Sequence, residues 1–249
     1  MGDATTGGEG VLARDEGAVR LLTLSRPEQR NAFTIGLYDA LSDALWSADR
    51  DENVRVVVLT GAGTAFSSGT DLAELADIAA GHGPARAGEA FPGLVAALAE
   101  VEVPLVAAVN GPGVGVGATM LPYFDLVFMA DTARLKTPFA EMGVPPEAAS
   151  SYLLPQRMGW QRASLMLLAA EWLSAEDAVA AGLATARCTA AELLDTAMAA
   201  AKRIAGFDRA ATRTIKALMH AGEREAARAA TGREQQAFAR LFGRQGPED

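Results

Sequence analysis

The chain has 249 residues, half of them apolar and about a fifth charged, which suits one globular domain or a domain with an appendage. A net charge of −9 excludes a nucleic-acid surface, which needs clustered Lys and Arg, so an acidic ligand must be held by local features such as helix ends or a few arginines. The lone cysteine, Cys188, excludes an internal disulfide and a cysteine metal cluster and points to a reducing, cytoplasmic setting, while the lack of a basic–apolar start and of a charge-free apolar stretch of roughly 18 residues argues against a signal peptide or membrane span.

In chain order, "AVRLLTL" (18–24) alternates as a strand, and "NAFTIGLYDALSDALWSADRD" carries apolar residues at helical spacing before a second strand, "VRVVVLT". A Gly/Ser turn at 61–71 leads into a helix that starts at "DLAEL". The Gly/Ala-rich stretch 79–90 has no period and is expected to be a mobile loop, followed by a short helix at 91–100. Next come the strand "PLVAAVN", a glycine-rich turn into an apolar helix, a buried strand "FDLVFMA" and a short one in "ARLKT". Beyond residue 147 the pattern is helical except for "LATARC" (183–188), so the spacing predicts an α/β core over 1–190 and a helical region over 191–249.

Three stretches carry candidate chemistry. In "GAGTAFSSGTDLAEL" (61–75), a strand gives way to a helix through a turn whose backbone N–H groups can face an oxygen bearing negative charge, and Gly69 permits close backbone approach. An ordinary turn with Asp71 as helix cap accounts for the same residues. In "VNGPGVGVGATML" (109–121), Gly113, Gly115 and Ala118 satisfy the G-x-G-x-x-A dinucleotide pattern, which would suit a nucleotide-dependent oxidoreductase. The following strand lies too close for the usual crossover, however, and amides aimed at a carbonyl oxygen are another use of the same glycines.

The third stretch is "GVPPEAASSYLL" (143–154). Pro145 and Pro146 favour a helix start, which would put Glu147 in the first turn, where the helix dipole stabilises a carboxylate. Its neighbours Ala148, Ala149, Tyr152, Leu153 and Leu154 would also enclose it in a poorly hydrated pocket, raising its pKa into the range of a general base. His82 and His220 lie in no motif, there is no G-x-S-x-G elbow, and no His/Asp/Glu spacing suggests a metal site.

Together, "LSRPEQRNAF", "GTAFSSGTDL" and "PLVAAVNGPGVGVGATMLPYFDLVFMADTARLKTPFAEMGVPPEAASSYLLPQRMG" resemble the enoyl-CoA hydratase/isomerase (crotonase) superfamily, from about residue 18 to about 240. The resemblance implies a crotonase-like spiral of ββα turns with a C-terminal helical region that mediates homotrimers or hexamers, and family members usually continue past "GRQGPED" with a final helix. It also implies an acyl-CoA substrate, no cofactor or metal, and no nucleic-acid or membrane partner. By the same resemblance the oxyanion donors are the N–H groups of Ser68 and Val116. Ser68, Gly69, Thr70, Asp71, Leu72 and Gly115 line the CoA portion, and Arg26 neighbours the pantetheine or phosphate.

Typical hydratases of the family carry glutamates where this chain has Thr119 and Phe139, so those two are expected to be pocket wall and hydration to be absent or weak. "TPFAEMGVPPEAASSYLLP" is similar to the peroxisomal-type Δ3,Δ2-enoyl-CoA isomerases, in which one acid at the position of Glu147 does the chemistry. The expected activity is therefore a double-bond shift from 3-enoyl-CoA to trans-2-enoyl-CoA. The alternatives are isomerisation of ring-epoxide or dienoyl-CoA substrates and non-catalytic acyl-CoA binding.

Overall fold

The computed structural model of the chain describes residues 4–5, 8–80, 82, 84 and 87–242. Strand β1 (Ala4–Thr5) pairs antiparallel with β2 (Val11–Glu16), which returns through a turn at Gly17 to pair antiparallel with β3 (Val19–Leu24). The sequence reading missed β2 because its charged residues face outward and only Val11 is buried. Thr34 caps α1 (Ile35–Arg50), its side chain accepting from the Leu37 amide, and Leu37, Leu41, Leu45 and Ala48 recur at helical spacing on the buried face. The next strand, β4 (Val56–Gly61), is buried along its whole length.

Helix α2 (Leu72–Ala79) follows the first glycine turn, and α3 (Ala87–Glu100) leads into β5 (Leu105–Val109), again wholly buried. The expected loop at 79–90 is therefore shorter, since the chain is helical from Ala87, and much of the remainder lies outside the described residues. The second glycine turn forms β6 (Gly113–Val114) and a four-residue helix α4 (Val116–Thr119), followed by β7 (Leu126–Ala130) and β8 (Arg134–Lys136). One helical turn is too short to serve as a dinucleotide crossover helix.

The chain continues through α5 (Phe139–Met142), α6 (Ser150–Met158), α7 (Trp160–Leu167), β9 (Leu173–Ser174), α8 (Ala175–Ala181) and β10 (Ala186–Cys188). Strands β3, β4, β5, β7 and β10 pair in parallel, giving a seven-stranded sheet in the order β1-β2-β3-β4-β5-β7-β10. Its central strands are near-continuous apolar runs because parallel strands are covered on both faces. A small second sheet, β6-β8-β9, braces the second glycine turn.

Three helices close the chain: α9 (Leu193–Ala205), α10 (Arg209–Ala221) and α11 (Arg224–Phe242). Helix α9 packs across β3, β4, β5 and β7, burying Leu193, Ala197, Met198 and Ala201, with Leu193 and Met198 each contributing about 1.5–3 kcal/mol of apolar burial. Among the described residues, no helix is long and apolar enough to cross a membrane.

Candidate active site

Two buried or bridging asparagines shape the first glycine turn. Asn31, fully buried with φ 56°, accepts from the Arg26 amide at 2.9 Å and donates to the carbonyls of Ala62 and Ala65, each at 2.9 Å. Asn110, just past β5, accepts from the Gly61 amide at 3.0 Å and donates to Gly63 at 3.1 Å. The turn is thereby fixed from both sides. Sequence reasoning missed both residues; an asparagine in "QRNAF" is a recognisable left-handed turn signal, but its acceptors lie far along the chain.

A single parallel bridge, Ser67 to Gly113, lays the two glycine turns side by side, with the Val114 amide donating to the Ser67 carbonyl at 2.9 Å. A Cβ on Gly69 would come within 2.8 Å of the Val114 carbonyl and 3.7 Å of the Gly115 Cα, so the close approach requires glycine there. Gly115 itself has φ 54° and ψ −123°, a region only glycine enters without strain, and this reversal lets α4 begin at Val116.

The amide expected from Ser68 is already spent, because it donates to the Arg30 carbonyl at 2.9 Å. The correction falls on Thr70. A parallel bridge joins Phe33 to Thr70, with Phe33 N–H donating to Gly69 and Asp71 N–H accepted by Phe33, both at 2.8 Å. Along an extended segment, alternate amides point to opposite sides, so the Thr70 N–H faces away from Phe33. Among the described residues, neither the Thr70 nor the Val116 amide has a protein partner. Each immediately follows one of the two apposed glycines.

The remaining residues of this loop hold it in place. Asp71 caps α2 by accepting from the amides of Ala73 and Glu74, and it pairs with the Arg26 guanidinium at 3.3 Å. Arg26 also donates to the Ala32 carbonyl, so it is committed to bracing the turn. Leu72 is exposed at the start of α2, and the Thr70 hydroxyl lies 2.8 Å from the Tyr38 hydroxyl. Phe139 is buried at the start of α5.

Glu147 lies outside the helix that its prolines were expected to start. Ala148 and Ala149 both adopt left-handed backbone, with φ 53° and 55°, and delay α6 until Ser150. Consecutive left-handed alanines cost about 1 kcal/mol or more each, so the surrounding structure imposes this turn. The residue keeps some accessible surface, yet its carboxyl is walled in by protein and sits against Thr119 at the end of α4, whose hydroxyl donates to Oε1 at a long 3.3 Å.

Burial raises the Glu147 pKa to about 7, with the Thr119 hydrogen bond opposing and the negative charge of Glu234 adding to the rise. Its charge in turn reaches Tyr38 of α1, held above its ordinary value chiefly by burial. Among the described residues, no group of three His, Cys, Asp or Glu side chains is placed to hold a metal ion. His220 serves structure, bonded between Asp125 and Glu223 away from this site.

A mainly parallel sheet with two apposed glycine turns and a helical C-terminal region is the crotonase-like class of α/β fold. The chain belongs to the enoyl-CoA hydratase/isomerase family, whose model matches residues 14–246. It is 39% identical over 179 residues to enoyl-CoA delta isomerase 2 of Rattus norvegicus, covering 71% of this chain and 46% of that protein. It is 34% identical over 200 residues to 1,2-epoxyphenylacetyl-CoA isomerase of Escherichia coli K12, covering 79% of this chain and 76% of that one. Among solved structures it is similar to the enoyl-CoA hydratase EchA8_6 of Mycobacterium marinum, with 46% identity, a TM-score of 0.81 and coverage of 85% of this chain and 99% of that chain. The chain spans about half the length of the curated mammalian relatives it matches.

Proposed function

We propose that the protein is an acyl-CoA isomerase that converts 3-enoyl-CoA to trans-2-enoyl-CoA with Glu147 as its single acid–base group. The observation that carries this reading is a walled-in carboxyl whose pKa is raised to about 7, beside the helix that opens with the unspent Val116 amide. In the proposed step the Glu147 carboxylate takes a proton from C2. The C–H electrons form a C1–C2 double bond, and the thioester oxygen becomes an oxyanion held by the N–H groups of Thr70 and Val116. The carbonyl then re-forms as the C1–C2 π electrons shift to C2–C3, and the C3–C4 π electrons take the same proton from Glu147 as the new C4–H bond, which returns the carboxylate. No redox partner or water enters the balance.

A pKa near neutrality suits both halves of this cycle, since the group must accept a proton and release it at similar cost. Hydration would need a second group to hold and split water, and Thr119 and Phe139 offer no carboxyl. Each amide of such a pair is worth about 10²–10³ in rate. Turnover of a 3-enoyl-CoA by the wild type and Glu147→Gln tests the reading: a loss of about 10²–10⁴ is expected, and undiminished turnover of the variant refutes it.

The Escherichia coli relative favours a second reading, in which the same oxyanion pocket rearranges a ring-epoxide thioester. Parallel assays with a ring-epoxide and a 3-enoyl-CoA thioester decide between them. We also propose that the protein assembles as a homotrimer or a pair of trimers. Helix α10 exposes Ile215, Leu218 and Met219 at spacings of three and four residues, an apolar stripe of the kind that seats a second copy.

A further inference from the structure

The left-handed turn beneath Glu147 is held from the far end of the chain. Helix α6 begins at an alanine cap that has no side-chain acceptor, so its first amides need an oxygen from elsewhere. Glu234 of α11 supplies both carboxylate oxygens: Oε2 accepts from the Ala149 amide at 2.8 Å, and Oε1 accepts from the Ser151 amide at 2.9 Å and its hydroxyl at 2.5 Å. The Tyr123 hydroxyl meanwhile donates to the Ala148 carbonyl at 2.9 Å. Glu234 is 6% exposed, a depth at which a carboxylate persists only when fully bonded.

We propose that Glu234 is a positioning residue, whose carboxylate locks the Ala148–Ala149 turn and thereby aims Glu147 at the crevice between the glycine turns. This inference rests on the reading of Glu147 as the base. The geometry gives it leverage. Only Ala148 separates Glu147 from the clamped Ala149 amide, so a change of φ or ψ at either alanine swings the catalytic side chain by a large part of a residue length.

A plain helix cap would leave the backbone at an ordinary extended cap conformation; here the clamp coincides with two left-handed alanines directly after the acid. Glu234 is also a same-sign neighbour of Glu147. The groups facing Glu147 are Thr119 from α4, Tyr38 from α1 and Glu234 from α11, while Tyr123 faces Glu234. Of these, only Glu234 carries a carboxyl, and its negative charge favours the protonated form of Glu147.

The test compares Glu234→Gln and Glu234→Asp with the wild type and Glu147→Gln on a 3-enoyl-CoA, recording kcat and KM across pH together with thermal unfolding. Glutamine keeps one acceptor but loses the charge and one oxygen. It is expected to lower kcat by about 10–100-fold with KM little changed, and to move the acid limb of kcat to lower pH. Aspartate keeps the charge on a shorter stem, so the limb stays in place while kcat falls. Wild-type kcat and an unmoved limb in Glu234→Gln, alongside an inactive Glu147→Gln, overturn this inference and leave the base assignment standing. An active Glu147→Gln instead removes the proposed function itself. If Glu234→Gln fails to fold, Glu234→Asp carries the decision: reduced kcat at unchanged KM supports positioning, and wild-type kcat overturns it.

Discussion

Neutralising Glu147 should stabilise the protein, but only where the wild-type group is ionised. In the folded chain its pKa is raised from 4.5 to about 7, mainly because burial penalises the carboxylate. A group with a raised folded pKa contributes stability that is fully present below about 4.5 and lost as pH rises through about 7. At about 1.4 kcal/mol per pH unit, that interval corresponds to roughly 3 kcal/mol. Glu147→Gln is isosteric and neutral at every pH, so it should match the wild type near pH 4, then gain progressively and exceed it by roughly 3 kcal/mol at about pH 8. Urea unfolding of both proteins at several pH values, with m-values compared, measures this directly. A wild type that stays as stable as the variant at the alkaline end would show that the carboxyl is solvated, and the desolvation argument would fall.

Other predictions follow from single contacts. Thr119→Val removes the hydroxyl that favours the charged form of Glu147, so the acid limb of turnover should move to higher pH; a shift to lower pH in the kcat profile contradicts the contact. Asn31→Ala leaves the Arg26 amide and the Ala62 carbonyl without their partner and takes one of two asparagine donors from the Ala65 carbonyl, so it should destabilise the fold by about 1–3 kcal/mol, read as a lower denaturation midpoint, with an unchanged midpoint contradicting the staple. Leu218→Glu places a charge in the exposed apolar stripe of α10 and should reduce the mass seen by light scattering, while an unaltered assembly would place the interface elsewhere.

The sequence makes some of this architecture legible and hides the rest for physical reasons. Strands β4 and β5 announce themselves as uninterrupted apolar runs because both faces are buried, and α1 by its apolar spacing. Glu147 stands out as an acid in an apolar, proline-flanked stretch. Its backbone does not, since alanine carries no left-handed turn signal and the force that bends Ala148 and Ala149 comes from Glu234 near the other end of the chain. The choice between Ser68 and Thr70 was equally hidden. Which amide of a glycine turn stays free depends on Arg30 and Phe33, whose carbonyls claim the Ser68 and Asp71 amides from a remote segment.

The central claim is that one enclosed carboxyl carries a proton from C2 to C4 without adding solvent. A 3-enoyl-CoA deuterated at C2, turned over in ordinary water and analysed by mass spectrometry and NMR, tests this most directly. The account predicts trans-2-enoyl-CoA with a measurable share of the deuterium at C4. Product with no label at C4, or 3-hydroxyacyl-CoA as the main product, would contradict it.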